Sequence, residues 1–163
     1  MFNDIFNEND MTMLQTLLRA NKQTITTAES CTGGLVASMI TKVSGSSDIF
    51  NGSIVTYSNK IKNQELNVKN ETLEKYGAVS CEVVNEMLDG VISKFDADFA
   101  IAISGIAGPN GGTKDKPVGT VIIGISDSNS HKIVNVYNFS GSREEVQIQS
   151  AKVALKEILK FIQ

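Results

Sequence analysis

The apolar run Phe99-Ala100-Ile101-Ala102-Ile103 stops abruptly at Ser104-Gly105-Ile106-Ala107-Gly108-Pro109-Asn110-Gly111-Gly112, and no other feature of the chain limits its fold so tightly. A short, unbroken apolar run bounded by turn residues reads as a strand buried on both faces. Four glycines and a proline in the nine residues that follow cannot extend a strand or start a helix, so the backbone turns sharply at the strand end. Open α/β sheets bind ligands at such junctions, because glycine lets main-chain N–H groups approach a phosphate or oxyanion unobstructed. A second strand-to-glycine junction, Thr24-Ile25-Thr26-Thr27-Ala28-Glu29-Ser30-Cys31-Thr32-Gly33-Gly34, leads into a helical pattern. Two such junctions predict one shared pocket.

The surrounding pattern is α/β. Asp10 is placed to cap a helix carrying Met11, Leu14, Leu17 and Leu18, and residues 1–9 read as a loosely ordered leader to a single domain spanning 1–163. Thr24 to Ala28 reads as a strand, followed by a helix with Leu35, Val36, Met39, Ile40 and Val43 on one face. Ile49 to Tyr57 reads as a strand kinked at Gly52, while Asn59 to Val68 is ambiguous between loop and short helix. Asn70 and Ser80 are placed to cap two helices, the second carrying Val83, Val84, Met87, Leu88, Val91, Ile92 and Phe95. After strand Asp98–Ser104 come Val118–Ser126 and His131–Phe139, an antiparallel hairpin turning at residues 127–130. Ser142 and Glu145 have capping-box spacing at the start of a long final helix. Together these elements predict a three-layer α/β/α sandwich around a mixed sheet.

Several functions are disfavoured by what the chain contains. Its formal net charge of −3 argues against broad attraction to nucleic acid. The N-terminus has no signal-peptide pattern and no apolar run is long enough to cross a bilayer, so a cytoplasmic protein without a membrane partner is expected. Cys31 and Cys81 form no C-x-x-C pair, and His131 is the only histidine, which disfavours structural zinc, a disulfide framework and a histidine-based triad. Neither glycine segment fits the P-loop or dinucleotide fingerprints.

The residues that remain allow lysine-assisted nucleophilic chemistry. Ser44 to Ser47 and Tyr57 to Lys62 bring hydroxyls, a phenol and lysines into one stretch of helix end, strand and turn. A desolvated lysine can serve as base for a serine hydroxyl. The same spacing equally fits Ser46 and Ser47 ending a helix with Lys60 and Lys62 in solvent. Glu29 is read either as a ligand contact or as a cap, Cys31 as a pocket wall, and Arg143 either as an anion contact or as a solvated side chain.

Five ordered motifs carry a more specific signal. Thr27-Ala28-Glu29-Ser30-Cys31-Thr32-Gly33-Gly34, Gly45-Ser46-Ser47, Val55-Thr56-Tyr57-Ser58-Asn59 with Lys62, Gly77-Ala78-Val79-Ser80, and Ser104 to Gly112 with Lys116-Pro117-Val118-Gly119-Thr120 resemble the CinA C-terminal domain family. That family includes stand-alone nicotinamide-nucleotide amidohydrolases, which convert nicotinamide mononucleotide to nicotinate mononucleotide and ammonia in pyridine nucleotide recycling. The resemblance implies a serine amidase needing no metal or other cofactor, with Ser47 as nucleophile and Tyr57 and Lys62 as its activating partners. It further implies substrate contacts from Glu29, Ser30, Thr32 and Ser104, from the backbone of Gly33, Gly34, Gly105, Ala107 and Gly108, and from Arg143. Homodimers or larger homo-oligomers are implied as well. Two positions depart from the common pattern: Ser142 replaces an aspartate before Arg143, and Gln147 replaces a basic residue. The chain lacks the N-terminal domain of full-length CinA proteins, so no nucleotide pyrophosphatase activity is expected. The rival reading is a catalytically silent nucleotide-binding or regulatory module.

Overall fold

In a computed structural model describing residues 1–163, five strands form one sheet in the order β2-β1-β3-β4-β5. β1 (Ile25–Glu29) lies between β2 (Ile54–Val55) and β3 (Phe99–Gly105), and both neighbours run parallel to it. β4 (Thr120–Asp127) and β5 (Lys132–Asn138) complete the sheet as an antiparallel hairpin beside β3. The chain leaves β1 for β2 on one side and returns to β3 on the other. A crevice therefore opens beyond the carboxyl ends of β1 and β3, the switch point at which open α/β sheets take ligands.

Both faces of the sheet are covered, as the unbroken apolar runs require. Ile101, Ile103, Ile123 and Ile125 face α1 (Glu8–Ala20), α2 (Leu35–Thr41) and α6 (Arg143–Ile162) through Leu14, Leu18, Val36, Ile40, Ala154 and Leu155. Ala100, Ala102 and Ile122 face α3 (Asn59–Leu66), α4 (Asn70–Tyr76) and α5 (Cys81–Phe95) through Leu66, Leu73, Val84, Met87 and Leu88. The period-2 alternation of β3 thus sends its isoleucines to one core and its alanines to the other. The small residues make room for α5. A Cβ on Gly124 would lie 2.6 Å from Val84 Cγ1 and 2.8 Å from Leu88 Cδ1, so the glycine sets how closely α5 packs on β4.

Four expectations need correction. Asn70 does not cap α4 but is its first residue, after Lys69, and no side chain caps that helix. Asn7, not Asp10, caps α1, and Asp10 is the third residue of its capping box, accepting from the Asn7 N–H at 2.9 Å. The leader is tied down: Phe6 is buried in the core, and Lys152 Nζ donates to Asn3 Oδ1 at 2.7 Å and to the Phe6 carbonyl at 3.0 Å. The strand expected over residues 49–57 pairs over only two residues, Ile54–Val55, with an isolated bridge from Phe50 to Ile25. Between them the Gly52 carbonyl accepts from Thr26 Oγ1 at 2.8 Å instead of joining the ladder, and the Phe95 ring occupies the space a Cβ on Gly52 would need.

The ambiguous 59–68 segment is α3, capped by Ser58, whose Oγ accepts from the Ile61 N–H at 3.3 Å. Only Lys62 and Leu66 are buried on this polar helix, one turn apart on the face toward the sheet. A lysine occupies a position where an amphipathic helix would place an apolar residue. No helix is long and apolar enough to cross a membrane.

Candidate active site

The crevice at the switch point is a cleft of about 260 Å³. Ser30, the first residue beyond β1, opens into it, and its N–H donates to the Ile103 carbonyl at 3.0 Å, which holds the serine against the end of β3. Lys62 enters from α3. Its Nζ donates to Ser30 Oγ at 3.1 Å and to the Thr56 carbonyl at 2.8 Å, and the residue is 1% exposed. No carboxylate accepts from it. Burial disfavours the ammonium and pushes Lys62 from an ordinary 10.5 down to about 8, a shift that the neighbouring Cys31 opposes only in part. A minor fraction of Lys62 is therefore neutral near pH 7 and most of it above pH 8, and in that form its lone pair can accept the proton of Ser30.

Ser47 lies elsewhere. It is exposed in the 3₁₀ turn Ser46–Asp48, and the residue that closes that turn, Ile49, accepts from the Ile25 N–H at the opposite, amino end of β1. Four further residues at about 3.3 Å each separate that end of β1 from Glu29, so Ser47 cannot share a proton with Lys62. The geometry does not bring Ser47 to Lys62; the hydroxyl that Lys62 meets is that of Ser30. Around Ser47 the contacts are structural: Arg19 bonds Asp48 Oδ2 at 3.1 Å and the Gly45 carbonyl at 3.2 Å.

Tyr57 lines the cleft without touching the Ser30–Lys62 pair. Its side of the mouth is open, the residue being 60% exposed, and its hydroxyl accepts from Arg143 Nη2 at 2.8 Å. Arg143 Nη1 donates to the Gly108 carbonyl at 2.7 Å, so one guanidinium joins the start of α6, the end of β2 and the second glycine loop. The expectation that Tyr57 activates the nucleophile is not met by this geometry.

The first glycine junction is not a phosphate cradle. Glu29 is fully buried, and its carboxylate accepts from Thr32 Oγ1 at 2.7 Å, Val36 N at 2.9 Å, Ala37 N at 3.0 Å, Gly34 N at 3.2 Å and Thr27 Oγ1 at 3.2 Å. An internal anion already occupies the amino end of α2, where the sequence places a ligand phosphate. Glu29 and Thr32 are thus corrected from ligand contacts to a cap and its partner. Gly33 and Gly34, with φ of +60° and +102°, make the left-handed turn that lets the carboxylate reach the helix. They line a separate depression with Glu144 and Gln147 and take no part in lining the cleft.

The second loop is differently disposed. Ser104, Gly105, Ala107 and Gly108 line the cleft, and the Ala107 and Gly108 amides donate to no backbone carbonyl or side chain. Ser104 Oγ donates to the Ala78 carbonyl at 2.8 Å, fixing the loop before α5 as one wall. Asn59, Ala78, Val79 and Asn110 are lining residues that sequence reasoning did not single out, although the Gly77–Ser80 motif marked their neighbourhood. Cys31 is a wall residue as read, its thiol pushed up to about 12 by burial. Gln147 Nε2 donates to the Cys31 carbonyl at 2.9 Å and anchors the loop after β1 to α6.

The sheet and cleft define an α/β protein with a lysine–serine pair at its topological switch point. Residues 7–162 match the model of the CinA C-terminal domain, and the chain belongs to that family. It is 51% identical to a CinA-like protein of Prochlorococcus marinus, over 94% of this chain and 38% of that protein. A CinA-like protein of Thermotoga neapolitana is 50% identical over 90% of this chain and 35% of its own length. The chain thus spans under two-fifths of these curated relatives. Among solved structures, the competence/damage inducible protein CihA of Agrobacterium tumefaciens superposes with a TM-score of 0.93 at 34% identity, covering 96% of this chain and 95% of that one. A CinA superfamily protein of Escherichia coli gives 0.92 at 34% identity, covering 99% and 93%.

Proposed function

We propose that the chain is an amidohydrolase that converts nicotinamide mononucleotide to nicotinate mononucleotide and ammonia, with Ser30 as nucleophile and Lys62 as general base and acid. The observation that carries this reading is the 3.1 Å contact from Lys62 Nζ to Ser30 Oγ, made by a buried lysine with no carboxylate partner. Family membership supports the choice of substrate. Neutral Lys62 takes the Ser30 proton as Oγ attacks the carboxamide carbon. The tetrahedral intermediate collapses when Lys62 gives that proton to the leaving nitrogen, the C–N bond breaks, and ammonia departs from an acyl ester on Ser30. Water then attacks the ester, losing its proton to Lys62, and Ser30 leaves with a proton as nicotinate forms. The Ala107 and Gly108 amides on the facing wall are the available donors for the oxyanion.

The test is ammonia release, with chromatographic detection of nicotinate mononucleotide, when the purified chain meets nicotinamide mononucleotide in the presence of chelator. Formation of both products supports the reading. Folded protein that stays silent, even with metal restored, is instead a nucleotide-binding module.

A further inference from the structure

The cleft holds one charged side chain besides Lys62. Its lining includes no aspartate, glutamate or histidine, and Arg143 stands at the mouth, donating to Tyr57 Oη at 2.8 Å and the Gly108 carbonyl at 2.7 Å. Both acceptors are neutral. Arginine's planar fork suits a pair of anionic oxygens, and charge-assisted bonds to such oxygens are roughly twice as strong as neutral ones. The one other anion site that the sequence suggested, the amino end of α2, is filled by Glu29. A phosphate entering this cleft therefore has Arg143 as its only fixed cation.

The phenol of Tyr57 is placed differently from the rest of the machinery. The side chain is exposed, and the bond from Arg143 is the hydrogen bond that holds its hydroxyl. We infer that Arg143 and Tyr57 form an exchangeable latch that makes the site selective for phosphorylated substrates: the phosphate of a mononucleotide displaces Tyr57 Oη from Nη2, while Nη1 stays on the Gly108 carbonyl. Tyr57 is the acceptor that the phosphate replaces. Arg143 becomes the specificity-determining residue that separates a nucleotide from its dephosphorylated nucleoside. This rests on the cleft being the substrate site proposed above, and it gives Tyr57 a role in admission with no part in proton transfer.

The exchange fixes the sign of two substitutions. Arg143→Gln removes the charge, so the phosphate gains nothing over a hydroxyl. Tyr57→Phe removes the competing acceptor, so the guanidinium no longer gives up a bond when phosphate arrives, and phosphate binding tightens.

The experiment is calorimetric titration of the full chain with nicotinate mononucleotide and with nicotinate riboside, neither of which carries the scissile carboxamide. The native chain is expected to favour the phosphorylated ligand at least about tenfold, the size of one charge-assisted contact. Arg143→Gln should shrink that preference to under about threefold, and Tyr57→Phe should widen it by about two- to fivefold. A preference that persists in Arg143→Gln overturns the latch, as does an unchanged or narrower preference in Tyr57→Phe. The second variant leaves the bond to Gly108 intact, so it decides the question even where loss of Arg143 disturbs the loop. A chain that shows the expected pattern yet fails to turn over nicotinamide mononucleotide would retain the latch and lose the amidase. Turnover without the pattern would do the reverse.

Discussion

Lys62 reaches Ser30 from a helix that is otherwise polar, and the two meet at 3.1 Å beyond the carboxyl end of β1. Neither residue is close to the other in sequence. The crossover from β1 through α2 and β2 returns the chain to β1's edge, and α3 then directs its one buried lysine inward. A cation buried without a carboxylate costs stability, and reactive sites are where such costs are retained.

That cost has a pH signature. The folded-state value of about 8 lies below the unfolded 10.5, so between those values the unfolded chain binds more protons and folding stability rises with pH. Below about pH 8 the penalty is fully present, amounting to about 3 kcal/mol from roughly 2.5 pH units at about 1.36 kcal/mol each. Lys62→Met should therefore gain stability over the native chain at pH 7 and lose that advantage by pH 10.5. Urea unfolding of both proteins at pH 7, 9 and 10.5 measures the difference, and a gap that stays constant with pH would refute the buried-charge account.

In the proposed mechanism catalysis titrates the same group. With Lys62 required neutral, kcat/KM should rise with pH through an acid limb near 8 and then level off. The pyridinium ring of nicotinamide mononucleotide brings a fixed positive charge into a cleft without carboxylates, so the limb in kcat should lie below the limb in kcat/KM. Initial rates over pH 6 to 10 at low and saturating substrate separate the two, and a kcat limb at higher pH contradicts the assignment.

Glu29 is predicted to be structural. Replacing its carboxylate by an amide turns one accepting oxygen into a donor, either against Thr32, Gly34 and Val36 or against Thr27 and Ala37, with a cost of about 3 kcal/mol. Glu29→Gln should lower the unfolding midpoint markedly. Native stability in the variant would show that these bonds contribute little.

Gly90 couples packing to the site. A Cβ there would come to 2.2 Å from the Leu66 carbonyl oxygen, so α5 lies against the end of the helix that carries Lys62. Gly90→Ala should destabilise the fold by about 2 kcal/mol and lower kcat by shifting α3 away from Ser30. Equilibrium unfolding and initial rates test both parts, and an alanine tolerated without loss in either would contradict the close approach.

Much of the fold was legible because period-2 and period-3.6 patterns are local. The apolar run of β3, the hairpin of β4 and β5, and the Ser142–Glu145 capping box at α6 all stand as the sequence indicated. The second glycine loop was legible for the same reason, since a strand followed by glycines is a contiguous signal. The Ser30–Lys62 contact was not. Ser47 was singled out through the family resemblance, spacing alone leaving it equally a helix-ending residue, whereas the sheet places Ser47 at the other end of β1 from Lys62. Two signals pointed to the contact: Ser30 is the first residue past a parallel strand at a glycine junction, and Lys62 stands one turn from Leu66 on a helix with no other buried position. Glu29 was misread because a carboxylate near a helix start fits a ligand contact and a cap alike, and five internal donors decide for the cap.

The central claim, that Ser30 and not Ser47 is the nucleophile, is tested most directly by running Ser30→Ala and Ser47→Ala beside the native chain with nicotinamide mononucleotide. Ammonia and nicotinate mononucleotide should form at native rates with Ser47→Ala and fall below detection with Ser30→Ala. Undiminished turnover by Ser30→Ala, or its loss in a folded Ser47→Ala, would contradict the account.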